Sequence, residues 1–431
     1  MSRLRLALTG DSFITQRLPQ QSDRMAKLQA VFASADARFT NLETTIHNFN
    51  VHASAVSGGT WAAARPAVLT DLRWLGFNLI TWANNHTLDY GHQGLLETYE
   101  HIENAGLVHA GVGRHLAEAA KPRYLDTVNG RVAIIGVNST GHDWHVAGEQ
   151  RPDMIGRPGV NPLRFDTIHK LSQDDLTTLK SIIAKTDVNA ARRLNEEEGF
   201  SRAVEGLFRI DQLSFTVGDP GTVTRMHEED ARRLARSIHE AVRQADVVVV
   251  SHHAHEMKGT DKSKPADFIP QFARFCIDEG AHVYVGHGPH ILRGIEIYRG
   301  CPIFYSLGNF IFQNDTVEKQ PQEFYRKYGL GLECTPADAY DARESVGVRG
   351  LHTDPRVFES VIPLVQMEQG MVKSIQLYPV TLGFGLPRWQ RGRPELAPSV
   401  QSRIILEQLE ELSAGYGTVF RMEEGVGVIK L

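Results

Sequence analysis

The sequence has few cysteines, no long hydrophobic run and no excess of basic charge, and each absence removes a class of function. Its three cysteines, Cys276, Cys301 and Cys334, are widely spaced and form no CxxC pair. That excludes a disulfide framework and a cysteine-based zinc site. No stretch reaches the about 18 consecutive apolar residues of a membrane-spanning helix. Met1-Ser2-Arg3-Leu4-Arg5-Leu6 runs straight into a strand pattern, without the apolar segment of a signal peptide. The expectation is a soluble cytoplasmic chain that makes no membrane contact. Against 51 Asp and Glu stand 46 Lys and Arg, a net charge of -5, with a pI near 6.4. Nucleic-acid binders usually carry a basic footprint, so no nucleic-acid partner is expected. Internal repeats and low-complexity tracts are absent too.

What is there is an ordinary globular composition, 42% hydrophobic and 23% charged over 431 residues. That is enough chain for one large domain or two modest ones. The 19 histidines are informative through their clustering. The apolar run Phe77 to Trp82 reads as a buried strand. It ends abruptly in Ala83-Asn84-Asn85-His86-Thr87-Leu88-Asp89-Tyr90-Gly91. Ligands of α/β proteins sit at the chain ends of parallel strands. There an Asn amide oxygen can bind a hard metal and a His can donate a proton. Asp89, three residues after His86, can fix its tautomer. A strand-to-turn corner would use the same Asn and Asp as turn formers.

Other strand patterns end in the same kind of residue. Leu4 to Thr9 leads to Gly10-Asp11-Ser12, and Arg38 to Leu42 leads to Glu43. Ala245 to Val250, with its unbroken valine run, leads to Ser251-His252-His253-Ala254-His255. His282 to Val285 leads to Gly286-His287-Gly288-Pro289-His290, and Ile303 to Tyr305 leads to Ser306-Leu307-Gly308-Asn309. Helical patterns at 20–35, 66–76, 94–105, 228–244 and 266–279 alternate with these strands, the mark of a layered α/β sheet.

Residues 139–226 break this rhythm. They read as an insertion or lid over the crevice, because long irregular stretches in compact domains are often functional. Arg151, Arg157, Arg164 and Asn161 in it are candidates for binding a substrate anion, and a solvated loop is the competing reading. After residue 313 the chain turns polar, and 357–367 with 371–380 reads as a hairpin, followed by a helix at 401–414. The expected division is a core over 1–313 and a C-terminal extension over 314–431 that packs on it.

Acids, an amide and several histidines at successive strand exits are costly to cluster without a cation. Mixed oxygen and nitrogen ligation without sulfur suits Mn, Fe or Zn. A carboxylate able to bridge suits two divalent metals about 3.5–4 Å apart, which activate a water and polarise the target oxygen.

Gly10-Asp11, Asn41-Leu42-Glu43, Asn84 to Gly91, Gly286 to His290 and Tyr305 to Phe310 appear in order. In this the chain resembles the CapA (poly-γ-glutamate capsule biosynthesis) family, related to calcineurin-like metallophosphoesterases. The resemblance covers roughly residues 4–313. It implies an α/β, four-layer α-β-β-α sandwich with a dinuclear metal site. It also implies that Asp11 and Asn85 are ligands, Glu43 the bridge, and His86 the general acid or transition-state donor. His253, His287 and His290 would complete the ligand set. The family's His-Trp-Gly is here His253-Ala254-His255, so the choice among His252, His253 and His255 stays open. Asn309 is a further substrate-binding candidate.

Three functions follow as expectations. The first is a metal-dependent hydrolase of a small or peptide-like acidic substrate, an amide or a phosphoester. The second is a metal-dependent epimerase or lyase acting at an α-carbon. The third is a non-enzymatic component of polymer assembly. A homodimer is compatible with each.

Overall fold

A computed structural model describes residues 3–431 and shows a mixed α/β fold with several sheets. Two sheets carry the architecture. In the ten-stranded sheet, Arg3–Phe13 lies centrally. Ala37–Leu42 pairs with it in parallel, followed by Leu79–Thr81 and Val108–Ala110. On its other side the hairpin Glu359–Glu368 and Met371–Thr381 joins antiparallel. The C-terminal part therefore continues the central sheet. In the six-stranded sheet, Val247–His253 lies between Gly130–Asn138 and Val283–His287, all parallel.

The valine run shows why these segments are strands. Successive side chains of a strand point to opposite faces. Val247 and Val249 join Leu4, Leu6, Phe39 and Val283 in a cluster shared by both sheets. Val248 and Val250 point the other way, into a cluster with Leu234, Ile238 and Phe272 of the helices Glu228–Val242 and Phe268–Asp278. A parallel strand buried on both faces reads as a continuous apolar run. Each such side chain, once buried, contributes roughly 1.5–3 kcal/mol. On the ten-stranded sheet's other face, Leu28, Phe32, Leu72 and Leu95 of Asp23–Ala33, Ala67–Leu75 and Gly91–Asn104 pack with Ala7 and Ile80.

Several strands outrun their expected ends. Arg3–Phe13 extends through Asp11, and Val247–His253 extends through both of its histidines. Gly10 permits the first extension, because a Cβ there would stand 1.9 Å from the Gly308 carbonyl oxygen.

Residues 139–226 hold their own four-stranded sheet, formed by Phe165–Leu171, Phe208–Ile210, Leu213–Val217 and Gly221–Met226. Phe165 stacks on Phe268 with ring centroids 4.3 Å apart, anchoring this sheet to the outer helix layer. None of these residues lines the cavity above the strand ends. The helices Gln322–Lys327 and Pro336–Glu344 and the turns after them approach that cavity instead. Among the described residues no helix is long and apolar enough to cross a membrane.

Candidate metal centre

The C-terminal ends of the parallel strands from both sheets meet at one rim, and the acids and imidazoles converge there. Ligand atoms of Asp11, Glu43 and His253 lie within 4.8 Å of one another, as do those of Glu43, His255 and His290. Glu43 belongs to both groups. His253 Nδ1 is 3.7 Å from Asp11 Oδ1, and its Nε2 is 3.7 Å from Glu43 Oε1. His287 Nδ1 is 3.6 Å from Asp11 Oδ1, and His290 Nδ1 is 3.9 Å from Glu43 Oε2. Asn41 Nδ2 donates to Asp11 Oδ1 at 2.7 Å, and the Gly288 N–H donates to Asp11 Oδ2 at 3.0 Å.

The donor set fits a divalent cation. Both oxygens of Glu43, both ring nitrogens of His287 and the Asn85 Oδ1 are buried without hydrogen-bond partners. Orphaned groups of this kind cost about 1–3 kcal/mol each when neutral and more when charged. Burial pushes the Glu43 carboxyl well up, and the nearby Asp11 and Asp89 carboxylates push it further. Burial also raises Asp11, but His253, His287 and His290 outweigh it and hold its carboxyl below the usual range. Burial pushes His287 and His290 down to about 4, so at neutral pH they present lone pairs. Oxygen and neutral imidazole donors without sulfur suit Mn, Fe or Zn.

His290 is aimed by its neighbours. Its backbone lies at φ 61, a left-handed conformation rare outside glycine. Its Nδ1 donates to Asn309 Oδ1 at 2.9 Å, which leaves Nε2 with a lone pair. Asn309 itself is fully buried and also donates to the Val357 carbonyl. Its side chain is thus taken up by His290 and the Val357 carbonyl.

His86 stands at the cavity. Its Nδ1 meets Asp89 Oδ2 at 2.6 Å, and the Ala62 N–H donates to the same oxygen at 2.7 Å. Asn84 ties the corner down, accepting from the His86 N–H and donating to the Leu42 carbonyl. Asn85 lies against Gly58, where any Cβ would stand 2.4 Å from the amide nitrogen.

Five other candidates fall elsewhere. His252 alternates to the opposite strand face, where it bonds Tyr284 Oη at 2.7 Å and Ser139 Oγ at 3.0 Å. Its neighbours His253 and His255 join the cluster, their Nε2 atoms 3.1 Å apart. Asn161 is buried and donates to the Gly136 carbonyl. Arg157 donates to the Val146 carbonyl, and Arg151 pairs with Asp153 in solvent. Arg164 forks onto Asp230. None of these arginines lines the cavity, because local backbone and acid partners claim them.

With this geometry, residues 5–314 match the family model described as "Bacterial capsule synthesis protein PGA_cap". The chain belongs to the PGA_cap family. Two uncharacterized proteins of Sinorhizobium fredii, y4sH and y4uA, are each 33% identical over 99% of this chain and 93% of their own length. The PGA biosynthesis protein CapA of Bacillus subtilis is 28% identical over 63% of this chain and 53% of its own. A probable polyglutamine synthesis accessory protein of Mycobacterium tuberculosis is 26% identical over 64% and 56%. This chain thus spans about half the length of these last two relatives.

The PGA_cap match holds every residue of the groups that could hold a metal. It stops short of part of the cavity wall, formed by Tyr328, Arg343, Glu344, Leu351 and His352. The reading of the sequence did not single out Arg343 or His352, which stand in a polar, turn-rich stretch. It also passed over Asn41, although Asn41 stands inside the motif that carries Glu43.

Proposed function

We propose that this PGA_cap protein is a metal-dependent hydrolase with a dinuclear centre, cleaving an amide or peptide-like bond in a small acidic substrate. The observation that carries the reading is the position of Glu43. Its two unpartnered oxygens are shared between the Asp11–His253 group and the His255–His290 group. Asp11, His253 and His287 would hold one cation, His255, His290 and Asn85 the other, with Glu43 between them. The two sheets with helices on their outer faces are read as the four-layer sandwich of the metallophosphoesterases. A bound divalent cation supplies Lewis acidity and a nucleophile from water at neutral pH.

The chain's own groups account for the rest. Asp89 fixes the His86 tautomer with Nδ1 protonated, leaving Nε2 for proton exchange at the leaving atom. Phe13 packs edge-on against His86, with ring centroids 5.4 Å apart, and limits its rotation. The preference for an amide over a phosphoester follows the names of the relatives, a PGA biosynthesis protein and a probable polyglutamine synthesis accessory protein. The word "accessory" in the mycobacterial name favours a second reading, a non-enzymatic part of polymer assembly.

Elemental analysis of untagged protein, beside an Asp11→Ala, His287→Ala double variant, tests the centre. About two transition metals per chain, lost in the variant, are expected. Amide and phosphoester turnover is then assayed with Mn or Zn. Turnover that survives chelation would sink the reading.

A further inference from the structure

The cavity that opens on the metal-binding groups has a second wall, built by chain beyond the family match. Asn85, His86, His255 and His290 line it together with Arg343 and His352. We propose that Arg343, with His352 beside it, is a subsite for an anionic group and selects the substrates this protein accepts. Its part in turnover rests on the hydrolase reading; the anion binding does not.

Arg343 sits in the last turn of Pro336–Glu344, its side chain 20% exposed. Nη1 donates to Thr60 Oγ1 at 2.7 Å and Nη2 to Glu344 Oε1 at 3.0 Å. The guanidinium lies over the Tyr340 ring, 5.0 Å from its centroid. The fork is therefore held in one plane before any ligand arrives, which lowers the entropy cost of binding. Its remaining N–H donors suit a planar carboxylate or a phosphate.

Arg343 shares its acid partner with two other arginines. Arg343, Arg388 and Arg391 converge on two buried acids, Asp315 and Glu344. A third acid, Asp341, pairs with Arg388, so the cluster is formally neutral and Arg343 has only a share of Glu344. His352 Nδ1 is 3.6 Å from Glu344 Oε2, and its Nε2 has no partner. The cavity, about 230 Å³, is below the usual range of ligand pockets. It suits one residue-sized anionic end group and excludes a folded polymer segment.

The test titrates full-length, EDTA-treated protein with glutarate and, separately, with inorganic phosphate, by calorimetry. Without metal, neither anion can be held by a cation at the rim. The wild type is expected to bind at least one of them. Tighter glutarate marks a carboxylate subsite and tighter phosphate a phosphoryl one. Arg343→Met should weaken binding at least tenfold, while Arg151→Ala, outside the cavity, leaves it unchanged. Circular dichroism checks the fold of each variant. If Arg343→Met unfolds, Arg343→Lys decides, because it keeps the charge, loses the fork and should bind several-fold more weakly. Wild-type protein that binds neither anion, or Arg343 variants that bind like wild type, overturn the proposal. Missing metal or absent turnover would defeat the hydrolase reading and leave this titration unaffected.

Discussion

His86 Nδ1 and Asp89 Oδ2 lie 2.6 Å apart, three residues apart in the chain, with the acid buried beneath the imidazole. Burial raises the Asp89 carboxyl, and His86 pulls it back. Asp89 thus ties the ring to the Ala62 backbone, accepting from both. Asp89→Asn should reduce kcat by about 10²–10⁴, the usual size of a general acid–base contribution. KM should change little. His86→Ala should do the same, and full cellular function in that variant would favour the assembly reading. Steady-state kinetics on the best amide substrate reads the split.

Glu43→Gln separates the cost of the site from its use. In metal-free protein the change removes a buried carboxyl whose two oxygens have no partner. Melting under EDTA should be unchanged or a few degrees higher. Added Zn or Mn should stabilise wild type, by about 2.7 kcal/mol at one hundred times Kd. The variant should show little of that gain. A variant that melts lower under EDTA yet keeps the full metal gain would show that Glu43 is structural.

Asn309→Ala tests how His290 is held. The amide fixes the ring through Nδ1, so its loss frees a ligand already on a strained backbone. Partners behind a ligand typically set about 10–100-fold in metal affinity. Competition with a chelating dye should show a loss in that range. An unchanged affinity would remove His290 from the ligand set.

Much of this site was legible because parallel strands place their ends together, and the residues after each apolar run carry the chemistry. The choice among His252, His253 and His255 was not. Val247–Val250 is apolar toward both faces, so no polar alternation says which face the next histidine meets. The sheet inside the insertion was missed for a related reason. Phe165–Leu171 is half-buried along most of its length, so Thr167, His169 and Lys170 are tolerated and the period is lost. Pro336–Glu344 was missed because arginine–acid pairs hold much of it and its apolar stripe is short. Its capping box, Thr335 with Asp338, was the available signal.

Asp230 gives a pH prediction independent of the metal centre. Burial raises its carboxyl, but hydrogen bonds from Arg164 and Arg233 outweigh it and hold it at about 2. The folded value is depressed below the ordinary aspartate value. Its contribution to stability is therefore complete above about pH 4 and is lost as pH falls through 2. Asp230→Asn should cost about 2 kcal/mol at neutral pH, the range for hydrogen bonds to charged groups. The wild-type advantage should shrink as the two are compared from pH 5 down to 3. Urea melts across that window read it, and a constant difference would mean that the pair acts through packing alone.

Exchange at carbon separates hydrolysis from epimerisation at the same site. His86 lines the cavity beside the groups that would hold the cations, and an imidazole that moves a proton next to a cation-stabilised enolate is what epimerisation at an α-carbon needs. Hydrolysis uses only one proton donor, at the leaving atom. Incubating metal-loaded protein with an acidic dipeptide in deuterated water therefore gives opposite outcomes. Cleavage without deuterium at the α-carbon is expected for the hydrolase. Deuterium in intact dipeptide, lost in His86→Ala, would establish epimerisation and retire the hydrolase reading.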